Sequence, residues 1–314
     1  MTLRRTMAEP GLILVTGAGG AHGGVGVGNK VVALLRERGR PVRAMVHHHD
    51  DERADDLRAL GADVVVGDLT RPGDVATALD SVQRMFFSMR LSASLLEAAA
   101  TVATVARAVG RLDALVAISQ MTVSQMDALS MSESHHQRLH FLSEKVFNWS
   151  GLPVVHVRPT VFLDTGLFTT LAAHSIAESG TIRLPFGTGR TSPIASDDVA
   201  RVVATIVTDP EPYIGRALEL TGPRSQDMTG VAGEYARALN KTVSYVDVPW
   251  DTWAEQTLPY ANLGPYVEEH LAIMARLHRE NRYDRVTATV AEVTGGPAET
   301  VEQFVARRSD LFVK

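Results

Sequence analysis

The sequence predicts an α/β fold: a doubly wound parallel sheet with a smaller, interleaved α+β domain after it. Short β-branched runs alternate with amphipathic stretches through the first half of the chain, and a glycine-rich segment joins the first strand to the first helix. Such alternation builds a parallel sheet, because each crossover helix returns the chain to the same edge. With 314 residues, 45% of them hydrophobic and 21% charged, the chain can bury a large core.

The strands of the first half are short apolar runs bounded by glycine, proline or polar residues. They are LILV (12–15), PVRAMV (41–46), ADVVVGDL (62–69), RMFFSM (84–89), ALVAIS (114–119) and LPVVHVRP (152–159). The stretches between them have helical apolar spacing, including one over 29–39 that ends at Gly39 and one from about 135 to 149. Pro159 ends the last strand through its fixed φ and missing N–H.

After Pro159 the pattern is less regular. We predict a helix over 162–180, strand and turn over 181–195, and a helix over 196–209 with Ser196 as its cap. The strand ALELTGP, the helix MTGVAGEYARALN, the strand TVSYVDVP and several helices complete the chain. We therefore expect residues 1–158 to form the first domain, to which the helix over about 196–208 returns, and 159–314 to form mostly a substrate-binding domain.

The segment VTGAGGAHGGVGVGNKVV lies between the first strand and the first helix, which is where a dinucleotide pyrophosphate binds in doubly wound folds. Glycine allows the tight turn and the close backbone approach, while helix N-terminal amides face the anion. We expect contacts to the cofactor from Gly17, Gly20, His22, Gly23 and Gly28. The segment is longer than the usual glycine spacing, so two alternatives stay open: a flexible loop with a broken site, and a solvated His22.

Strand ends supply the other predicted cofactor contacts. In GDL, Asp68 can accept from the adenine amino group beside Leu69, or it can cap the following helix. Ser88 and Met89 end the fourth strand, where the backbone runs beside the cofactor.

The end of the second strand decides between the two dinucleotides, since an acidic side chain there binds the ribose hydroxyl and a basic one the 2′-phosphate. His47 stands at this position and His48 follows it, so we expect NADPH (NADP) rather than NADH. Asp50 and Asp51, two residues further on, favour the opposite preference.

Charge and composition narrow the functional classes. The net charge of -5, without a run of Lys or Arg, disfavours direct nucleic-acid binding. Cysteine is absent, which excludes disulfides and thiolate chemistry, and adjacent histidines such as those of the HHH run do not by themselves make a metal site. Neither a leader nor a membrane span is apparent, so we expect a cytoplasmic monomer or homodimer.

Several segments together resemble NmrA-like proteins, which are atypical short-chain dehydrogenases, over nearly the whole chain. They are ILVTGAGG, PVRAMV, GADVVVGDL, WSGLPVVHVRPTVF, SPIASDDVA, LELTGP and YDRVTATVAEVTGGPAETVEQFV. The resemblance implies a Rossmann domain with a small C-terminal domain. It also implies either an NAD(P)H-dependent reductase of quinones and other conjugated or aromatic compounds, or a redox-sensing regulator without catalysis.

The sequence departs from the wider superfamily at the catalytic pair. The Tyr-x-x-x-Lys positions of typical short-chain dehydrogenases fall on His136 and His140, which share one helix face. Histidine donates protons near neutral pH, so we expect His140 and His136 to be acid or orienting groups, with Ser119 and Gln120 at the end of the fifth strand as further catalytic candidates. The alternatives are that the histidines only pack and that Ser119 and Gln120 face solvent.

We therefore predict an NAD(P)H-dependent oxidoreductase that reduces a carbonyl, quinone or conjugated small molecule by hydride transfer. Trp149, Phe162 and Phe168 are candidates for the wall of an aromatic or quinone-binding pocket, or for the core. A dinucleotide-sensing regulatory protein and a non-redox isomerase or lyase on the same fold remain the alternatives.

Overall fold

The computed structural model describes residues 11–19, 26–47 and 52–312. Within them, seven strands form one parallel sheet in the order β3-β2-β1-β4-β5-β6-β8, and two more, β7 and β9, form a small parallel sheet. The strands are β1 Leu12–Val15, β2 Val42–Val46, β3 Asp63–Val66, β4 Val82–Phe87, β5 Ala114–Ile118, β6 Val154–Pro159, β7 Thr181–Leu184, β8 Ala217–Leu220 and β9 Ser244–Asp247. The predicted α/β class with a parallel Rossmann-type sheet is confirmed.

Helices cover both faces of the large sheet. They are α1 Val27–Glu37, α2 Glu52–Ala59, α3 Pro72–Ala78, α4 Leu95–Val109, α5 His135–Trp149, α6 Thr170–Ser179, α7 Ser196–Thr208, α8 Met228–Leu239, α9 Trp250–Thr252, α10 Pro265–Arg279, α11 Thr289–Thr294 and α12 Val301–Arg307. Apolar side chains of α1 and α7 bury one face, those of α3, α4 and α5 the other. Strands buried on both faces explain the uninterrupted apolar runs of the sequence.

The second half of the chain packs around its own core, which includes Phe168, Phe186, Tyr235 and Phe304. It is interleaved with the large sheet, since α7 packs on α1 and β8 pairs with β6. The domain boundary at residue 158 stays a prediction. Strand β8 follows that boundary in the chain but belongs to the large sheet. In the described part of the chain, every helix is too short or too polar to cross a bilayer.

Three local predictions were wrong. Helix α6 begins at Thr170 rather than 162, because Phe162 instead makes a bridge to Ile194. Ser196 is the first residue of α7 and not its cap; Asp164 Oδ2 accepts from its N–H at 2.8 Å. Trp149 cannot line a pocket, since it is 79% exposed at the end of α5.

Candidate functional site

The strand order reverses between β1 and β4, and the carboxyl ends of these strands open the crevice where Rossmann-type folds bind ligands. Thr16 joins the two strand ends: its Oγ1 donates to the Ser88 carbonyl at 2.8 Å and accepts from the Ser88 N–H at 3.0 Å. The backbone of Gly17 is thereby held against Ser88, and the segment after β1 turns towards α1.

Two glycines are required by close backbone approaches at this turn. Gly17 has a φ of 68°, and a Cβ on it would lie 2.8 Å from the Ser88 carbonyl oxygen. A Cβ on Gly28, in the first turn of α1, would lie 2.7 Å from the carbonyl of Gly17. Because Gly28 has no side chain, the start of α1 can pack closely against the chain that leaves β1.

The N-terminus of α1 fits an anion. Among the described residues, no side chain caps the helix at Gly26 and the first turn has no acidic residue, so the helix start is open to a negatively charged group. Together with the Gly17–Gly28 approach, this geometry fits a dinucleotide pyrophosphate. The predicted contacts Gly20, His22 and Gly23 lie outside the described residues.

At the end of β2, His47 is exposed, and His48 to Asp51 lie outside the described residues. Arg53, in the first turn of α2, was missed by the sequence analysis. Its Nη1 donates to the Gly19 carbonyl at 2.7 Å, which brings a guanidinium to the segment after β1. The sequence did contain a signal for Arg53: it is a basic residue in the first turn of the helix that follows the second strand.

Asp68 is held in a turn after β3. Its Oδ1 accepts from the N–H and from the hydroxyl of Thr70, each at 2.8 Å, and these hydrogen bonds lower the pKa of Asp68. The residue before α3 is Arg71, so the helix-capping alternative for Asp68 is wrong. Leu69 and Met89 pack against the apolar core of the α4 side. The contacts of Asp68, Leu69, Ser88 and Met89 with a cofactor stay predictions.

The buried face of α5 carries His136 and His140 near the start of the helix. A capping box between Ser134 and Gln137 starts the helix. His140 Nε2 lies 3.1 Å from His136 Nε2, and His136 Nδ1 lies 3.1 Å from the hydroxyl of Tyr266 on α10. Both ring nitrogens of His136 are therefore hydrogen-bonded.

A third histidine joins this pair from α10. The ring of His270 is 5.2 Å from that of His136, and its Nδ1 is 2.7 Å from Ser134 Oγ. We call His136, His140 and His270 the histidine row. Tyr266 and His270 were missed by the sequence analysis, because they lie more than a hundred residues beyond α5 and carried no motif.

Burial keeps the histidine row neutral. It lowers the pKa of His136 to about 4, with a smaller effect from His135, and the pKa of His270 to about 3, with a smaller effect from His136. It also lowers the pKa of His140 well below 6.5, helped by its two histidine neighbours. The expectation of a histidine acid that titrates near neutral pH is therefore wrong: at pH 7 these rings are uncharged and can only exchange a proton between neutral forms.

One turn further along the same face, α5 carries a charged group. Glu144 is buried, and the Arg158 guanidinium donates to both its oxygens, from Nε at 2.9 Å and from Nη2 at 2.5 Å. Ser119 Oγ donates to Glu144 Oε1 at 2.5 Å. Burial alone would raise the pKa of Glu144, but the Arg158 hydrogen bonds and nearby positive charge lower it below the usual value.

Ser119 is 6% exposed, so the alternative of a solvent-facing strand-end residue is wrong for it. Gln120, half-buried, precedes a short turn of 3₁₀ helix over Met121–Gln125. The catalytic roles of Ser119, Gln120, His136 and His140 stay predictions. Within the ranges described, no three His, Asp or Glu side chains are arranged to hold a metal ion.

The sequence profile of the NmrA-like family matches residues 9–305, which is nearly the whole chain. The chain belongs to the NmrA-like family. The predicted resemblance is thereby confirmed.

Two relatives with named activities are similar over almost their full length. An NAD(P)H azoreductase from Xenophilus azovorans is 26% identical over 302 residues, covering 96% of this chain and 99% of the relative. A (4-alkanoyl-5-oxo-2,5-dihydrofuran-3-yl)methyl phosphate reductase from Streptomyces griseus subsp. griseus is 28% identical over 301 residues, with the same coverage. Both names describe reductases.

Solved structures share the fold. An NADPH-dependent quinone oxidoreductase from Escherichia coli, complexed with NADPH, aligns with a TM-score of 0.80 at 20% identity, covering 95% of this chain and 99% of that one. NmrA, a negative transcriptional regulator in complex with NADP, aligns with a TM-score of 0.79 at 18% identity, covering 95% of each chain. Solved structures with this fold thus include a protein named for reduction and a protein named for regulation.

Proposed function

We propose that this protein is an NAD(P)H-dependent reductase of a conjugated small molecule, aromatic or quinone-like in character. The observation that supports the proposal is the histidine row: His136 and His140 lie in contact on one face of α5. By the resemblance, these two positions are the ones that carry Tyr and Lys in typical short-chain dehydrogenases. The names of the two relatives, both reductases, support the same class of reaction.

The cofactor would be held at the end of β1. Gly17, Gly28 and the first N–H groups of α1 would bind the pyrophosphate, since a Cβ at either glycine meets backbone. Arg53 and His47 would bind the adenosine end, and a guanidinium at this place favours a 2′-phosphate and hence NADPH. When bound, the nicotinamide supplies the hydride that reduces the acceptor.

The protein's own contribution is a proton and an oriented pocket. His140 would give a proton from its neutral ring to the acceptor atom that gains negative charge, and His136 would replace that proton across the 3.1 Å contact between their Nε2 atoms. Tyr266, which is partly exposed, would in turn supply His136 at Nδ1 and take a replacement proton from solvent. Each imidazole stays neutral through this exchange and only changes tautomer, which suits rings whose charged form is disfavoured by burial.

Ser119 would orient the acceptor rather than donate to it. Its hydroxyl proton is committed to Glu144, so the Ser119 oxygen can only accept, and it would orient the acceptor through an N–H or O–H group of that molecule. Glu144 and Arg158 would keep this hydroxyl in one rotamer.

The second candidate function is a dinucleotide sensor, favoured by the structural similarity to NmrA and by the absence of the Tyr and Lys pair at 136 and 140. An isomerase or lyase that keeps the cofactor as a structural group is the third.

The experiment measures NADPH and NADH binding by calorimetry, and their oxidation at the nicotinamide absorbance with azo, quinone and enone acceptors. We expect binding with turnover of at least one acceptor class, and about tenfold weaker NADPH binding in Arg53→Gln with NADH little changed, the size of one lost charged contact. Gly28→Val is the control, and should abolish binding of both. Tight binding without turnover of any acceptor would support the sensor instead.

A further inference from the structure

A cavity of about 10 Å³ lies beside His140, between α5 and the ends of β4, β5 and β6. Phe87, Leu95 and Phe147 form its apolar walls. Its polar lining consists of Ser119, His140, Ser143, Glu144 and His156. This volume is that of a single water molecule, and a cavity holds water when several polar groups converge on it.

Two polar atoms of this lining are buried without a partner among the described residues: Ser143 Oγ and His156 Nδ1. Each of the two residues is only 4% exposed. A buried hydroxyl or ring nitrogen left without a hydrogen bond is costly, and native proteins satisfy nearly all such atoms with protein or with ordered water.

The hydrogen bond on the far side of the His156 ring defines what its Nδ1 requires. His156 Nε2 lies 2.8 Å from the Asn148 amide oxygen, which can only accept, so Nε2 carries the proton. Burial lowers the pKa of His156, which keeps the ring neutral despite the opposing charge of Glu144. Nδ1 is therefore a bare acceptor that needs a donor, and His156 lines the cavity.

We propose that this cavity is a binding site for one internal water molecule. The water donates to His156 Nδ1 and accepts from Ser143 Oγ, and its second hydrogen bonds to the remaining polar lining. Among the described residues, Ser143 Oγ and His156 Nδ1 both lack a partner, so they do not reach each other directly. A water molecule is both donor and acceptor and fits the volume between the residues of the lining.

The water joins two networks that otherwise share no direct hydrogen bond in the described residues. His140 belongs to the histidine row, and Ser119 to the pair with Glu144; both line the cavity. With one hydrogen on His156 and one lone pair on Ser143, the water keeps one hydrogen and one lone pair, and these hold His140 in place relative to Ser119. The use of this positioning in catalysis rests on the proposed reductase function; the water site does not.

The first test is structural. Crystals of the wild-type protein at high resolution should show one ordered water within about 3.2 Å of both Ser143 Oγ and His156 Nδ1. In ¹⁵N NMR of the same protein, the His156 Nδ1 resonance should have the shift of a hydrogen-bonded, unprotonated nitrogen. A dry cavity together with a free-lone-pair shift would overturn the proposal.

The second test asks whether Ser143→Ala lowers or raises the melting temperature. If water bridges Ser143 and His156, Ser143→Ala removes a partner of that water and lowers the melting temperature by roughly 1–3 °C; the His156 Nδ1 shift changes with it. If the cavity is dry, the same variant removes an unpaired buried hydroxyl, and the melting temperature rises. Ser175→Ala on α6 is the matched control, since Ser175 is also a buried helical serine but does not line the cavity.

The third test separates the water from the reaction. Ser143→Val fills the cavity, and should lower kcat severalfold while NADPH affinity stays within twofold, because His140 loses its link to Ser119. An unchanged kcat, with the water shown to be displaced, would overturn the role of the water but not the site. If the wild-type protein has no turnover at all, the proposed function fails and the crystal and NMR results still decide the water site.

Discussion

The two ends of the inward face of α5 are buried to a similar degree but are electrostatically different. Towards the helix start, His136 and His140 are neutral and hydrogen-bonded to each other, and His136 is also hydrogen-bonded to Tyr266. Two turns on from His136, Glu144 keeps its charge and is bound by Arg158 and Ser119. Burial penalises charge at both places, so the difference must come from the partners.

The hydrogen-bond partners of the histidine row are neutral groups, so burial is met by loss of the proton. Glu144 has a guanidinium in bidentate contact, which returns most of what desolvation costs and makes the ionised form the stable one. One helix face therefore holds neutral imidazoles next to a fixed charge. In the proposed function, the histidine row moves a proton and Glu144 with Arg158 keeps Ser119 in place.

The largest effect is expected from breaking the charged end. Glu144→Ala leaves Arg158 without its carboxylate and Ser119 without its acceptor, so the free energy of unfolding should fall by about 3–5 kcal/mol. The matched control is Glu302→Ala, which breaks the exposed pair with Arg237 and should cost less than about 1 kcal/mol. Chemical denaturation of both variants measures this, and equal costs would contradict the distinction between the two pairs.

The next effect concerns the neutral end. His140→Phe removes the proposed proton donor while retaining an aromatic ring, and kcat should fall on the order of a hundredfold with NADPH affinity little changed. Stability should change far less than in Glu144→Ala. Stopped-flow kinetics measure kcat, and calorimetry measures NADPH affinity. Full activity in the variant would mean that the histidine row has only a structural role.

A smaller effect separates the two ends by pH. The pKa of His136 is about 4 in the folded chain and about 6.5 when unfolded, so the unfolded chain binds the extra proton first and stability falls as pH drops from about 6.5 to 4. Glu144, whose pKa is lowered on folding, contributes stability that is lost only as pH falls below the ordinary carboxyl range.

His136→Gln should accordingly flatten part of the slope between pH 6.5 and 4 and leave the loss at lower pH unchanged. His270 and His156 also have lowered pKa values, so part of the slope remains. Denaturation midpoints measured across pH 3 to 8 give both the slope between pH 6.5 and 4 and the loss of stability at lower pH. An unchanged slope in the variant would mean that His136 is not buried as a neutral ring.

The smallest expected effect tests the outer end of the row. Tyr266→Phe removes the hydroxyl that contacts His136 Nδ1, and should slow turnover by about three- to tenfold, the range of one hydrogen bond, because solvent can still reach His136 more slowly. The solvent isotope effect on kcat should change with it. A rate and an isotope effect both equal to those of the wild type would exclude Tyr266 from the proton route.

Much of the cofactor end could be predicted from sequence. The apolar runs of the strands and the helical spacing between them are local patterns, and Gly17 and Gly28 flank a strand and open a helix in a way that only a tight approach explains. The positions of His136 and His140 on one face of α5 follow from the 3.6-residue period, which also needs no distant contact.

The remaining features depend on contacts between different elements. Tyr266 and His270 meet His136 from 130 or more residues away, and Glu144 on α5 meets Ser119 at the end of β5 and Arg158 on β6. The sequence by itself determined the parallel fold and the glycine turn, since these rest on local periodicity and spacing. It also determined the family, through the resemblance of several segments. Only the tertiary structure decided which histidines lost their charge and which carboxylate kept it, because burial and the choice of partner are properties of packed elements and not of the pattern within any one of them.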